Sequence, residues 1–273
     1  MRFNVLGSME INKDDNKSLP INSSKTGQVI ALLLARRHEI VSADTLIEEL
    51  WGESPPRSAM TTLQTYVYHA RKLFARESVA VDGRDLLITR SPGYLIQLEK
   101  HEVDAWVFEE TMEQGRTHLR SGRPEPAAAL FREALRLWRG PAFASIQPGN
   151  VLQAHATYLA ELRIRATHLR LQAEQAMGQY EDIIPELRSL VISHPLNESF
   201  HAQLIDALHR SGRRAEALHA YQELRAVLDR ELGIAPSPEV QLLQVALLDE
   251  GRPADRRPHH TVGGPWRQAP ANL

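Results

Sequence analysis

The 273-residue sequence has no cysteine. This removes disulfide frameworks, thiolate metal sites and thiol nucleophiles, and it fits a reducing compartment. Long apolar runs are also missing. The longest is Val29–Ala35, far short of a bilayer span. The N-terminus, Met-Arg-Phe-Asn-Val-Leu-Gly, turns polar too early for a signal-peptide core. These absences predict a soluble, cytoplasmic protein. The motifs of common catalytic sites are lacking too. There is no phosphate-cradling glycine loop, no His-Glu-x-x-His and no Gly-x-Ser-x-Gly elbow. His155, His168, His194, His201, His209 and His219 are scattered without metal-site spacing. The Glu48-Glu49 and Glu109-Glu110-Glu113 clusters read as solvated helix faces. The expectation is a protein with no catalytic residue, no metal and no cofactor.

What is present is an ordinary globular balance, 42% apolar and 24% charged, in a length that favours two domains. The net charge of −2 hides an uneven distribution. Residues 1–100 carry a net +1, residues 101–250 a net −6 and residues 251–273 a net +3. Within 57–76 stand Arg57, Arg71, Lys72 and Arg76 with no acid. Such a local basic stripe suits phosphate attraction, which acts over about 8 Å at physiological salt.

The first hundred residues alternate short strands and helices. Phe3–Leu6 predicts a strand, and Met9–Asn12 with Ser18–Ile21 a hairpin around Lys13–Lys17. Ser23 or Ser24 can cap a helix reaching about Arg37, and Ser42 a second over Ala43–Trp51 that Gly52 ends. Glu53-Ser54-Pro55-Pro56 must turn, because proline does not continue a helix. Ser58 then caps a third helix to about Ala75, with Ala59, Leu63, Val67, Ala70 and Phe74 as its buried stripe. Strands follow at Ser78–Val81, Leu86–Thr89 and Tyr94–Leu98, with a turn at Asp82-Gly83. Pro92-Gly93 suits the central positions of a type II turn. Strands, three helices and a closing hairpin make the plan of a winged helix-turn-helix.

The third helix carries the functional reading. Its outer face bears Thr61, Thr62, Gln64, Thr65, Tyr68, His69, Arg71 and Lys72. In the major groove, Gln64 can pair bidentately with adenine, and Arg71 can take guanine or a phosphate. The threonines suit close backbone or base-edge contacts, and Tyr68 and Lys72 suit phosphates. Taken alone, this face also fits the solvated side of any amphipathic helix. The missing acid, the small polar residues on successive turns and the following hairpin favour double-stranded DNA. Arg90, with Ser91 beside it in the hairpin loop, stands where a wing enters the adjacent minor groove.

From Val103 the pattern becomes helical to about Asp249, with Asp104 as a candidate cap and Ser237-Pro238 opening a last helix. Gly122, Gly178 and Gly212 each open a similar helix. Five residues on stand Ala127, Ile183 and Ala217; nine on, Phe131, Leu187 and Tyr221; twelve on, Ala134, Leu190 and Leu224. The step from Gly178 to Gly212 is the 34-residue tetratricopeptide period, and an insertion around Trp138–Leu152 separates the first unit. The expected architecture is therefore mixed. An α+β winged helix-turn-helix over 1–100 is followed by an all-α tetratricopeptide-like domain over 101–250 and a disordered tail over 251–273.

The sequence resembles the short form of the Streptomyces antibiotic regulatory proteins. Val41–Trp51, Gly52–Arg57, Ser58–Leu73 and Arg90–Leu95 look like the winged helix of the OmpR and PhoB type. Val103–Phe108, Ala134–Gly140 and Glu231–Pro238 are similar to the bacterial transcriptional activator domain. The resemblance implies an activator of an antibiotic or other secondary-metabolite gene cluster, one that binds tandem direct repeats near the promoter −35 region as a homodimer on DNA. It implies recruitment of RNA polymerase, with Glu53, Ser54, Pro55, Pro56 and Arg57 meeting sigma region 4 or the alpha C-terminal domain. The short form carries no receiver, ATPase or sensor module. A repressor on the same fold and a helical protein-interaction scaffold are the competing readings.

Overall fold

A computed structural model describes residues 1–13, 18–77 and 85–249. The expected hairpin tip at 14–17, the strand Ser78–Val81, the turn Asp82-Gly83 and the tail 251–273 lie outside the described residues. Packing divides the chain into two compact units, Met1–Ile183 and Ile184–Leu273.

The first unit opens with an antiparallel sheet of β1 (Arg2–Asn4), β2 (Glu10–Asn12) and β3 (Ser18–Pro20), with Phe3 opposite Ile11 and Ile11 opposite Leu19. The strand expected over Phe3–Leu6 stops at Asn4, because Val5 and Leu6 bond elsewhere. Their N–H groups donate to the Asp104 carboxylate at 2.7 and 3.1 Å. Their carbonyls accept from Phe143 N at 2.8 Å and Arg139 N at 2.7 Å.

Next comes α1 (Lys25–Ala35), capped by Ser24 Oγ accepting from Gly27 N at 3.0 Å. Its run from Gly27 to Leu34 is buried on every side, as a helix apolar all round must be. A short β4 (Val41–Ser42) leads into α2 (Ala43–Trp51), where Ser42 Oγ accepts from Thr45 N at 3.0 Å and Gly52 ends the helix at φ +61°. Then follow α3 (Ala59–Arg76), β5 (Leu87–Arg90) and β6 (Gly93–Ile96), and β6 lies between β4 and β5 in a second sheet. Three helices between two small sheets, closed by a hairpin, form the winged helix.

Three helices complete this unit's core: α4 (Asp104–Arg120), α5 (Pro124–Arg136) and α6 (Asn150–Ala176). One apolar cluster runs from Phe3 and Phe74 through Phe108 and Phe131 to Leu159 and Ala173. The sequence thus changes character near Leu98–Val103, whereas packing divides some eighty residues later. The insertion after α5 explains this. Its Trp138, Phe143 and Ile146 are buried in the same cluster, and its backbone bonds to Val5, Leu6 and Gly7. Asp104 does not cap α4, whose N-cap is Val103.

Beyond α7 (Tyr180–Ser193), the second unit holds α8 (Glu198–Arg210), α9 (Arg214–Leu232) and α10 (Pro238–Asp249). Asn197 caps α8, and Gly233 at φ +67° closes α9. Gly122, Gly178 and Gly212 are closers of helices, not openers, with φ of +67°, +78° and +75°. After each, the next N–H (Arg123, Gln179, Arg213) donates to the carbonyl of His118, Glu174 or Leu208. That is the Schellman pattern, repeated three times. The expected repeat positions are buried, except that Leu190 is half-buried. Among the described residues, no helix is long and apolar enough to cross a membrane.

Candidate nucleic-acid interface

The chain enters α3 through an exposed loop, Gly52–Arg57, whose prolines prevent the helix from starting sooner. Ser58 stands at the N-cap, but its side chain makes no cap bond. Its hydroxyl lies 3.4 Å from Thr62 Oγ1 instead. Ala59, Leu63, Val67, Ala70 and Phe74 are buried as expected, and Phe74 meets Phe3 edge-on at 5.8 Å between ring centroids. Trp51 of α2 stacks on Tyr66 at 6.1 Å, tying the two helices together.

The opposite face is open. Thr61, Gln64, Thr65, Tyr68, His69, Arg71 and Lys72 are exposed and Thr62 is half-buried. Tyr68 keeps 59% of its surface in solvent, an unusual exposure for a large aromatic side chain. Thr65 Oγ1 donates back to Thr61 O at 3.0 Å, so its hydroxyl hydrogen is already used. The nearest acid along the chain, Glu77, is held by Lys13 at 2.8 Å and by Arg76 at 2.9 Å. The bond from Lys13, then that from Arg76, keep its carboxyl below the ordinary range. The acid-free character of 57–76 is therefore kept at the end of the helix.

Arg71 is placed differently from the other polar residues. Its Nε donates to Leu87 O at 2.9 Å and one terminal nitrogen to Thr89 Oγ1 at 2.7 Å, both on β5. The sequence presents it as a base or phosphate reader; in the fold it ties α3 to the hairpin. At the tip, Arg90, Ser91 and Pro92 are exposed. Arg90 pairs with Gly93 across the turn, so Ser91 and Pro92, and not Pro92 and Gly93, take its central positions. The expected type II turn is not formed. Gly93 is needed for a different reason: a Cβ there would lie 1.8 Å from Val41 O in the adjacent β4. Glu53, Ser54, Pro55, Pro56 and Arg57 are all exposed.

Residues 103–248 match the family described as the bacterial transcriptional activator domain, and residues 20–96 match "Transcriptional regulatory protein, C terminal". Regulatory protein DnrI of Streptomyces peucetius is 36% identical over 94% of this chain and 95% of its own length. Regulatory protein AfsR of Streptomyces griseus is 34% identical over 93% of this chain, which spans 26% of that protein. The chain belongs to the Streptomyces antibiotic regulatory protein family. A solved structure of EmbR from Mycobacterium tuberculosis, in complex with a low-affinity phosphopeptide, superposes with a TM-score of 0.86 at 32% identity. The match covers 93% of this chain and 66% of that one. Like its relatives in the Streptomyces antibiotic regulatory protein family, the chain is a DNA-binding transcriptional regulator with an activator domain.

In this family member, two carboxylates that pattern reading takes for a solvated face and a helix cap join the first hundred residues to the helices that follow. Glu49 is 5% exposed, not part of a solvated face. It accepts from Gly149 N at 2.7 Å, Val151 N at 2.8 Å and Leu152 N at 3.2 Å, where α6 begins. A negative charge there also meets the positive end of the helix dipole. Asp104 is 2% exposed and does the reverse, reaching from α4 to the N–H groups after β1. Burial raises its pKa, opposed by the Val5 and Leu6 N–H groups and by Arg139. Glu109 is likewise half-buried, whereas Glu110 and Glu113 are exposed as expected. The one sequence signal that could have found Glu49 is its place on the inward side of α2, three residues after Leu46.

Proposed function

We propose that the chain activates an antibiotic or other secondary-metabolite gene cluster from within the cytoplasm. Residues 1–100 read the promoter and residues 101–250 serve activation. In this reading α3 lies in the major groove, with Gln64 as the principal base reader. Thr61, Thr62, Thr65, Tyr68, His69 and Lys72 set register through phosphates and base edges. Arg90 and Ser91 reach the neighbouring minor groove, and Arg71 holds the wing at a fixed distance from α3.

The observation that carries this reading is the exposed, acid-free face of α3, joined by Arg71 to a hairpin whose tip carries an exposed arginine. Two copies bind head to tail on direct repeats near the −35 element, spaced by about one helical turn. The exposed Glu53–Pro56 loop and Arg57 then meet sigma region 4 or the alpha C-terminal domain of RNA polymerase.

Footprinting on promoters neighbouring the gene, with and without RNA polymerase, tests this. The expected result is protection of two direct repeats upstream of the −35 element and an extended footprint when polymerase is added. Protection that covers the start site and displaces polymerase would instead identify a repressor. Changing Pro55 and Pro56 to alanine should leave the footprint and lower transcript yield. Equal yield removes the loop from activation.

A further inference from the structure

An open cleft of about 450 Å³ lies in the first unit, between the β1–β2 edge and the chain that follows α5. Its size is that of a small-molecule site. Arg2, Lys13, His101, Arg136 and Arg139 line it, with Asn12 beside them. Asp104 is the one carboxylate among its described lining residues.

Most of these charges are already engaged. Asp104 accepts from Val5 N, Leu6 N and, at 3.4 Å, from Arg139. Arg139 also donates to Glu10 at 2.8 Å, and Lys13 pairs with Glu77 at 2.8 Å. Two guanidinium groups have terminal nitrogens without a partner among the described residues. Arg2 donates its Nε to His101 O at 3.3 Å. Arg136 is exposed, and among the described residues it has no hydrogen-bond or ion-pair partner. Guanidinium forks match the paired oxygens of phosphate. Apart from the His101 imidazole, no ring among the described residues lines the cleft that could hold a base or another flat apolar body. Recognition there is of charge, and two open forks call for a ligand with at least two anionic groups.

We propose that this cleft binds a small phosphorylated metabolite carrying two or more phosphate charges. None of its lining residues belongs to the polar face of α3 or to the wing, so the site is separate from DNA reading.

Calorimetric titration of the full chain with inorganic pyrophosphate, at about 0.15 M salt to screen diffuse attraction, tests the proposal. One molecule is expected to bind per chain. Arg136→Ala should weaken binding about tenfold, the scale of one lost charged hydrogen bond, and Arg2→Ala should act in the same direction. Retention of promoter DNA by Arg136→Ala confirms an intact fold. Absence of binding, or equal binding by Arg136→Ala, overturns the site. Loss of binding in Lys72→Ala instead would move the anion to α3 and overturn it as well. Citrate binding more tightly than pyrophosphate would overturn the assignment to phosphate.

Discussion

The polar face of α3 and the seam around Glu49 and Asp104 treat hydrogen bonds in opposite ways. On α3, Gln64, Tyr68 and Lys72 point outward, and each can still bond to something that arrives. At the seam each carboxylate is already filled, by three N–H groups on Glu49 and by Val5, Leu6 and Arg139 on Asp104. Both regions are polar, but one holds the fold and the other is available for recognition. Polarity alone therefore does not tell the two regions apart; unfilled bonding capacity does.

Substitutions should separate the two regions. Glu49→Ala should have the largest effect, about 3 kcal/mol of stability, because charged buried hydrogen bonds contribute about 1.5–3 kcal/mol each and their N–H groups would be left without an acceptor. Denaturant unfolding should show the loss, while surviving folded protein keeps its preference among operator variants. A change in that preference would blur the contrast.

Gln64→Ala should do the converse. Discrimination at one base pair should fall by about 1–3 kcal/mol, with an unchanged unfolding midpoint. Competition gel shifts with single-base operator variants measure it, and uniform weakening across all variants would assign Gln64 to phosphate instead.

Arg71 bridges the two classes, being exposed yet engaged. Arg71→Ala should cost about 1 kcal/mol of DNA affinity, concentrated at the base pairs flanking the α3 site. Arg71→Lys should not restore it, because an ammonium lacks the fork that holds Leu87 O and Thr89 together. Full rescue by lysine would show that only charge matters.

The smallest expected effect is pH-dependent. Burial, with the nearby Arg36 charge, holds the His155 pKa below the ordinary imidazole value of about 6.5. The unfolded chain therefore takes up a proton more readily than the folded one, so stability present above pH 6.5 declines as the pH falls toward the folded value. His155→Asn should flatten that slope in thermal unfolding between pH 7.5 and 5.5.

Local rules made much of this fold legible. The α3 stripe repeats every three or four residues, and Ser24 and Ser42 find their partners three residues on, so a short window contains each cause. The seam was illegible for the opposite reason. Glu49 and Gly149 are 100 residues apart, and although the spacing from Leu46 turns Glu49 inward, nothing near it in sequence names the N–H groups that it meets. Gly93 shows a middle case: the Pro-Gly pair marks a turn, but the need for glycine comes from Val41 on another strand. On the outer face of α3, exposure could be anticipated for every residue but the half-buried Thr62. What Arg71 holds could not, since its partners appear only when β5 folds against α3.

The Arg71 bridge has a consequence for how an operator would be decoded. If one side chain fixes the spacing between the groove-reading helix and the wing, the two cannot adjust separately to a poor sequence. A narrow or wide minor groove under Arg90 would shift α3 along its own base pairs. Base changes in the two half-sites should then combine non-additively, with coupling energies that vanish when the bridge is removed. A position-by-position weight matrix would describe such an operator poorly, and a table of paired positions would describe it well.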